Sequence, residues 1–172
     1  MSEELLNRLV DTDYGQLTLE WGEEIWDGDA DRFFKDQQNG LVGAAVSGTV
    51  VIMLARRSGG SAVRIVRKAS EPRAGADWED VIEASFDLPP GRAMRWSTWA
   101  GESGGSLAVP PGQYRLRVSA AGRDAGAQNE FADEVVDTYL VELWPAPAAP
   151  DAVLRVGSDD ARYWHQTWGS CR

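Results

Sequence analysis

The sequence predicts a mainly β protein: an antiparallel β-sandwich of about eight or nine strands with short N- and C-terminal helices. Three observations predict it. Apolar and polar residues alternate with period two through 14–21, 61–68 and 78–88. The turn dipeptides Asn39-Gly40, Ser47-Gly48 and Gly59-Gly60 punctuate the apolar runs at short intervals. Finally, Leu88-Pro-Pro-Gly91 recurs 21 residues later as Val109-Pro-Pro-Gly112, and each copy precedes a strand-like run, 94–100 and 113–120. Two prolines cannot donate to a ladder, so they stop one strand, and the glycine launches the next.

Taken in order, Ser2 can cap a short helix whose Leu5, Leu6, Leu9 and Val10 form one apolar stripe. Residues 14–21 then alternate as a half-buried strand, with Leu17, Leu19 and Trp21 on one face. A short helix over 29–38 brings Phe33 and Phe34 inward. Residues 41–46 and 49–56 read as a hairpin, and Gly59-Gly60 turns into a third strand of a meander at 61–68. The polar stretch 70–75 is a loop or hinge. After the Pro-Pro-Gly strands, 135–144 gives a further strand that three prolines between 145 and 150 terminate, and 152–156 an edge strand. Ser158 followed by Asp159 and Asp160 caps a last helix that Gly169 stops, with Trp164 and Trp168 on one face.

At 172 residues the chain reads as a single domain: an acidic helix/strand segment over 1–40, the sandwich over 41–157 and the C-terminal helix over 158–169. Acids stand where a signal peptide needs cations, and no run approaches membrane-spanning length, so the expected address is the bacterial cytoplasm, with no membrane partner. One cysteine, Cys171, excludes an intramolecular disulfide and a cysteine-based metal cluster.

Catalytic signatures are missing. A Ser-His-Asp or Cys-His arrangement depends on the single histidine, His165, which reads as packed within the aromatic terminal helix, although pairing with Cys171 is conceivable. Asp27, Asp29 and Asp31 mimic the first half of a calcium loop, but Arg32 and Gln38 stand where such a loop needs glycine and a bidentate glutamate, so a solvated acidic loop is expected. Glu79, Asp80 and Glu83 are candidates for a carboxylate pair only generically. The Gly-rich stretch 101–105 lacks a phosphate-binding lysine and reads as a hairpin loop. No cofactor is called for.

Charge is the informative feature. Eleven acids against Arg8, Arg32 and Lys35 give residues 1–40 a net −8 of the chain's −10. Such a field attracts basic surfaces and repels nucleic acid, so no nucleic-acid partner is expected. Residues 41–70 carry Arg56, Arg57, Arg64, Arg67 and Lys68 with no acid, and these are expected to face the acidic segment of the same molecule. Of the eight tryptophans, most are expected in the core, with one or two as surface anchors.

Val109-Pro-Pro-Gly-Gln-Tyr-Arg-Leu-Arg-Val118, Tyr139-Leu-Val-Glu-Leu-Trp-Pro-Ala146 and Ala161-Arg-Tyr-Trp-His165 resemble small actinobacterial β-sandwich proteins. They also resemble, distantly, the competence J proteins, acidic β-rich inhibitors of a DNA-entry nuclease. The resemblance covers 77–165 and transfers no inhibitory residue; it implies a sandwich that binds a basic nuclease, with acids standing in for phosphate. The resulting reading is a non-enzymatic immunity or inhibitor protein that neutralises a basic toxin or nuclease. Its surface would comprise Glu20, Glu23, Glu24, Asp27, Asp29 and Asp31, with Trp21 and Trp26 as aromatic anchors. The alternative is a carbohydrate- or small-ligand-binding module that uses exposed tryptophan.

Overall fold

The computed structural model describes residues 1–169; Cys171, and with it any pairing to His165, lies outside them. The chain is mainly β. One sheet has six strands: β1 (Ser2–Asp13), β5 (Ser58–Lys68), β10 (Thr138–Pro145), β9 (Gly112–Ala121), β6 (Asp80–Leu88) and β11 (Ala152–Arg155), in that spatial order. The second has five: β3 (Val42–Gly43), β4 (Thr49–Met53), β2 (Gln16–Glu20), β7 (Met94–Thr98) and β8 (Gly104–Leu107). Helices α1 (Ala30–Phe33), α2 (Arg123–Gln128) and α3 (Asp159–Trp168) complete the chain, with a 3-10 turn at Trp99–Gly101.

The two sheets are sandwich-like, because their facing side chains make one apolar cluster. Val63, Ile65, Ile82, Leu116, Val118, Val141 and Leu143 of the six-stranded sheet meet Leu17, Leu19, Val50, Ile52, Met94 and Trp96 of the other. Each such fully buried aliphatic contributes roughly 1.5–3 kcal/mol relative to exposure. Among the described residues eleven strands replace the expected eight or nine, because the Gly-rich run that reads as loop pairs with β7 as β8 and the N-terminal segment becomes β1. One pair also breaks the antiparallel expectation. β10 runs parallel to β5, Thr138 opposite Ala62, while it pairs antiparallel with β9.

The N-terminal helix is not formed. Residues Ser2–Asp13 are instead an edge strand antiparallel to β5, from Ser2 opposite Lys68 to Asp13 opposite Ser58. A bulge between Glu4 and Leu6 absorbs the Leu5-Leu6 doublet that imitates helical spacing, so both leucines pack against the core. Ion pairs across the strands, Glu4 to Arg64 at 2.7 Å and Glu3 to Arg67 at 2.5 Å, add to the pairing that overrides the local helical pattern. Thus Arg64 and Arg67 face the acidic N-terminal segment, as their isolation from acids in sequence implied.

β4 and β5 belong to different sheets, so no meander forms, and Gly59-Gly60 lies within β5 rather than at a turn. Gly59 is needed for its left-handed backbone, φ +109°, and for space, since a Cβ there would meet the hydrogen-bonded Arg56 guanidinium at 2.8 Å; a Cβ at Gly60 would come within 2.8 Å of the half-exposed Leu9 side chain, which can give way. Buried Arg56 donates to the carbonyls of Ser58, Gly60, Glu130, Ala132 and Glu134, and so organises the loop that leads into β10. The Pro-Pro-Gly copies mark changes of sheet: the first carries the chain from β6 to β7, the second from β8 to β9.

Candidate functional site

β4 is buried along its whole length, because its outward residues Val51 and Met53 are roofed by Phe33, Phe34, Trp26 and Trp168. This second small core fixes the acidic segment. Trp21 anchors the start of the loop that leaves β2: it is buried, its ring 5.1 Å from Phe86, and the N–H groups of Trp21 and Gly22 both donate to Gly48 O. Trp26 anchors the far end against Phe33 at 5.0 Å and Trp168 at 5.8 Å. Between them Glu23, Glu24 and Ile25 are exposed.

Arg32 gathers the acids that follow. Its guanidinium lies 2.8 Å from Glu24, 2.9 Å from Asp27 and 4.0 Å from Asp29, and rests over the Phe33 ring. Asp29 caps α1 by accepting from Arg32 N, and Asp27 accepts from Asp29 N at 2.9 Å. The Asp29 N–H first, and Arg32 second, hold the Asp27 carboxyl below its ordinary range. Carboxylates at alternate positions therefore serve a cation of the chain itself. Among the described residues no group of three or more His, Cys, Asp or Glu is arranged to hold a metal ion. Five acids against one arginine leave 23–32 at net −4.

Glu20 stands apart from that loop. With Gln16 and Thr18 it points outward from β2, beside Arg95 and Ser97 of β7, and these residues floor a groove of about 660 Å³ walled by Ile25, Trp26 and Trp99. Thr18 Oγ1 and Ser97 Oγ each donate to Glu20 Oε1 at 2.6 Å. The aromatic wall continues through Tyr14, 5.0 Å from Trp99, and Arg57 stacks on Tyr14. Beyond it lies Phe131, 85% exposed. Trp99 and Tyr14 could not be selected from sequence as members of one surface, because the turn that brings Trp99 there starts where an uninterrupted strand was expected.

The remaining candidates are structural. Asp80 is buried and accepts from Ser158 Oγ at 2.6 Å and Gly157 N at 2.9 Å. Glu83 is held between Arg115 and Arg117 on the outer face of the six-stranded sheet, and Glu79 accepts from Gly122 N. His165 is packed as its neighbours implied: Nδ1 accepts from Gly40 N, Nε2 is buried without a partner, and burial first, then Arg123, lowers its pKa. Three tryptophans, Trp21, Trp96 and Trp144, are buried, and Trp99 is the most exposed at 38%.

No protein-family model matches this chain, and no curated protein sequence matches it. Its fold nevertheless has solved counterparts. It is similar to the crystal structure of ComJ from Bacillus subtilis, the inhibitor of the DNA-degrading activity of NucA: the TM-score is 0.58 at 16% identity, over 85% of this chain and 99% of ComJ. It is also similar to the protein of crocagin biosynthetic gene J, with a TM-score of 0.53 at 18% identity, over 86% of this chain and 99% of that one. The distant resemblance to the competence J proteins is thus a likeness of fold, and it extends into the N-terminal half. No helix among the described residues is long and apolar enough to cross a membrane.

Proposed function

We propose that this protein is a non-enzymatic inhibitor that binds a basic bacterial nuclease or nuclease toxin through its acidic segment. The observation that carries the reading is the fold shared over 85% of the chain with ComJ, whose target is a DNA-degrading enzyme. The charge distribution supports it independently, since a net −8 in residues 1–40 offers a cationic nuclease what a phosphate backbone offers. Glu23, Glu24, Asp27, Asp29 and Asp31 form the charged surface, Trp26 supports it from behind, and Trp21 acts through the core by fixing the loop. Exposed Ile25 and Trp99 supply the apolar contact that a stable interface needs beside its charges. The proposed setting is the bacterial cytoplasm.

Capture from a host lysate tests this. The immobilised protein is washed at low and then at high salt, and the eluate is assayed for DNA degradation with and without added inhibitor. A basic nuclease released by salt and silenced by the protein is the expected result; retention of no cationic protein at low salt sinks the reading. The second reading, a saccharide-binding module, has the tryptophan-walled groove in its favour and requires affinity that scarcely depends on salt.

A further inference from the structure

We propose that the groove on the outer face of the five-stranded sheet is a guanidinium site that seats one arginine side chain of the protein partner. The proposal rests on the inhibitor reading and deepens it by naming the contact that fixes the register of the two surfaces.

Glu20 Oε1 takes the hydroxyl protons of both Thr18 and Ser97, whose oxygens stand 2.8 Å apart. With those two protons engaged, the centre of the floor presents acceptors to the groove: Glu20 Oε2 and the hydroxyl lone pairs. Gln16 and Arg95 flank that centre with donors, so it is the charge of Glu20, rather than a lack of donors, that singles out a guanidinium, which offers five donors and accepts nothing. The indoles of Trp26 and Trp99 in the lining suit the same group, because a planar cation stacks on aromatic rings and Trp is the strongest partner for it. Glu102, exposed in the lining, adds negative potential.

One feature of the floor opposes a cation. Arg95 is the cross-strand partner of Glu20 and lines the same groove, yet its guanidinium makes no ion pair with that carboxylate. Glu20 is held by the hydroxyls instead, which leaves Oε2 for an incoming donor. Arg95 therefore weakens the site, and its removal has a sign that separates a guanidinium site from a sugar site.

The test titrates isotope-labelled full-length protein with N-acetylarginine amide and with its uncharged isostere, N-acetylcitrulline amide, following the indole N–H signals of Trp26 and Trp99. Saturable shifts with the arginine probe alone are expected. Glu20→Gln, which can still accept the two hydroxyl protons, should weaken binding about tenfold, and Arg95→Ala should strengthen it. An equal response to the citrulline probe, indifference to Glu20→Gln, or weakening by Arg95→Ala overturns the proposal. The lysate capture reports separately: a nuclease bound by a protein whose groove ignores the arginine probe defeats the groove and spares the inhibitor reading. A responsive groove with no nuclease captured does the reverse.

Discussion

His165 Nδ1 accepts the backbone N–H of Gly40 at 3.0 Å, which ties α3 to the segment entering β3. The approach is close enough that a Cβ at Gly40 would fall 1.9 Å from Trp164 O. Gly40→Ala must push the helix away and should cost about 2–4 kcal/mol, read as a shift in the urea midpoint. A loss under 0.5 kcal/mol would mean that α3 is not seated on this segment. The histidine must be neutral to accept at Nδ1, so its proton belongs on Nε2.

A pH dependence follows from the same contact. Burial, then Arg123, holds His165 below its ordinary value of 6.5, with Asp80 and Asp151 acting the other way. The unfolded chain then binds more protons than the folded one below pH 6.5, so the stability this residue supplies is complete above 6.5. It declines as pH falls through that value toward the lowered folded pKa. Thermal melts at stepped pH between 7.5 and 5 should show wild type losing more stability on acidification than His165→Phe. Parallel curves would refute the assignment.

Arg56 should be the least replaceable arginine outside the strands. Arg56 is 2% exposed, and its guanidinium serves five backbone carbonyls, three of them in the loop 130–134. Arg56→Met strips those carbonyls of their donor, and about 3–5 kcal/mol of stability should go with it. Arg56→Lys should recover only part, because three donors on a flexible stem cannot reproduce a planar fork. Hydrogen exchange through 130–136 should rise in both variants. Unchanged exchange there would show that the loop is held by something else.

How much of this was legible in the sequence depends on whether the deciding interaction was local. The Ser158 cap of α3, the strand expected over 78–88 and formed over 80–88, and the inward Phe33 and Phe34 follow from neighbours within a few residues. Leu5, Leu6, Leu9 and Val10 fit a helix equally well, and only β5, some sixty residues away, decides for a strand. Gly59-Gly60 carries a turn signal, yet the requirement comes from the left-handed backbone at Gly59 and its packing on Arg56 inside a strand. The acidic loop shows the same division. Its charge was plain, but the clamp by Arg32, the burial of Trp21 and the separation of Glu20 into a groove with Trp99 depend on tertiary contacts.

Glu23 and Glu24 are adjacent, exposed and equal in charge, and Arg32 distinguishes them. Glu24 lies 2.8 Å from that guanidinium, whereas Glu23 stands outside the clamp. Glu23→Lys and Glu24→Lys therefore change the long-range field identically, but only the second sets a cation against Arg32 and loosens the turn over α1. If attraction of a basic partner is a property of the summed field, both variants should slow association by the same factor at low salt, and the difference should vanish at high salt. If the partner reads the shape of the loop, Glu24→Lys alone should also speed dissociation. Stopped-flow association and dissociation rates of both variants across a salt series separate the two. Neither variant should shift the thermal midpoint appreciably, since the pairs involved are solvent-exposed. Rates indifferent to both reversals would remove the acidic loop from the interface altogether.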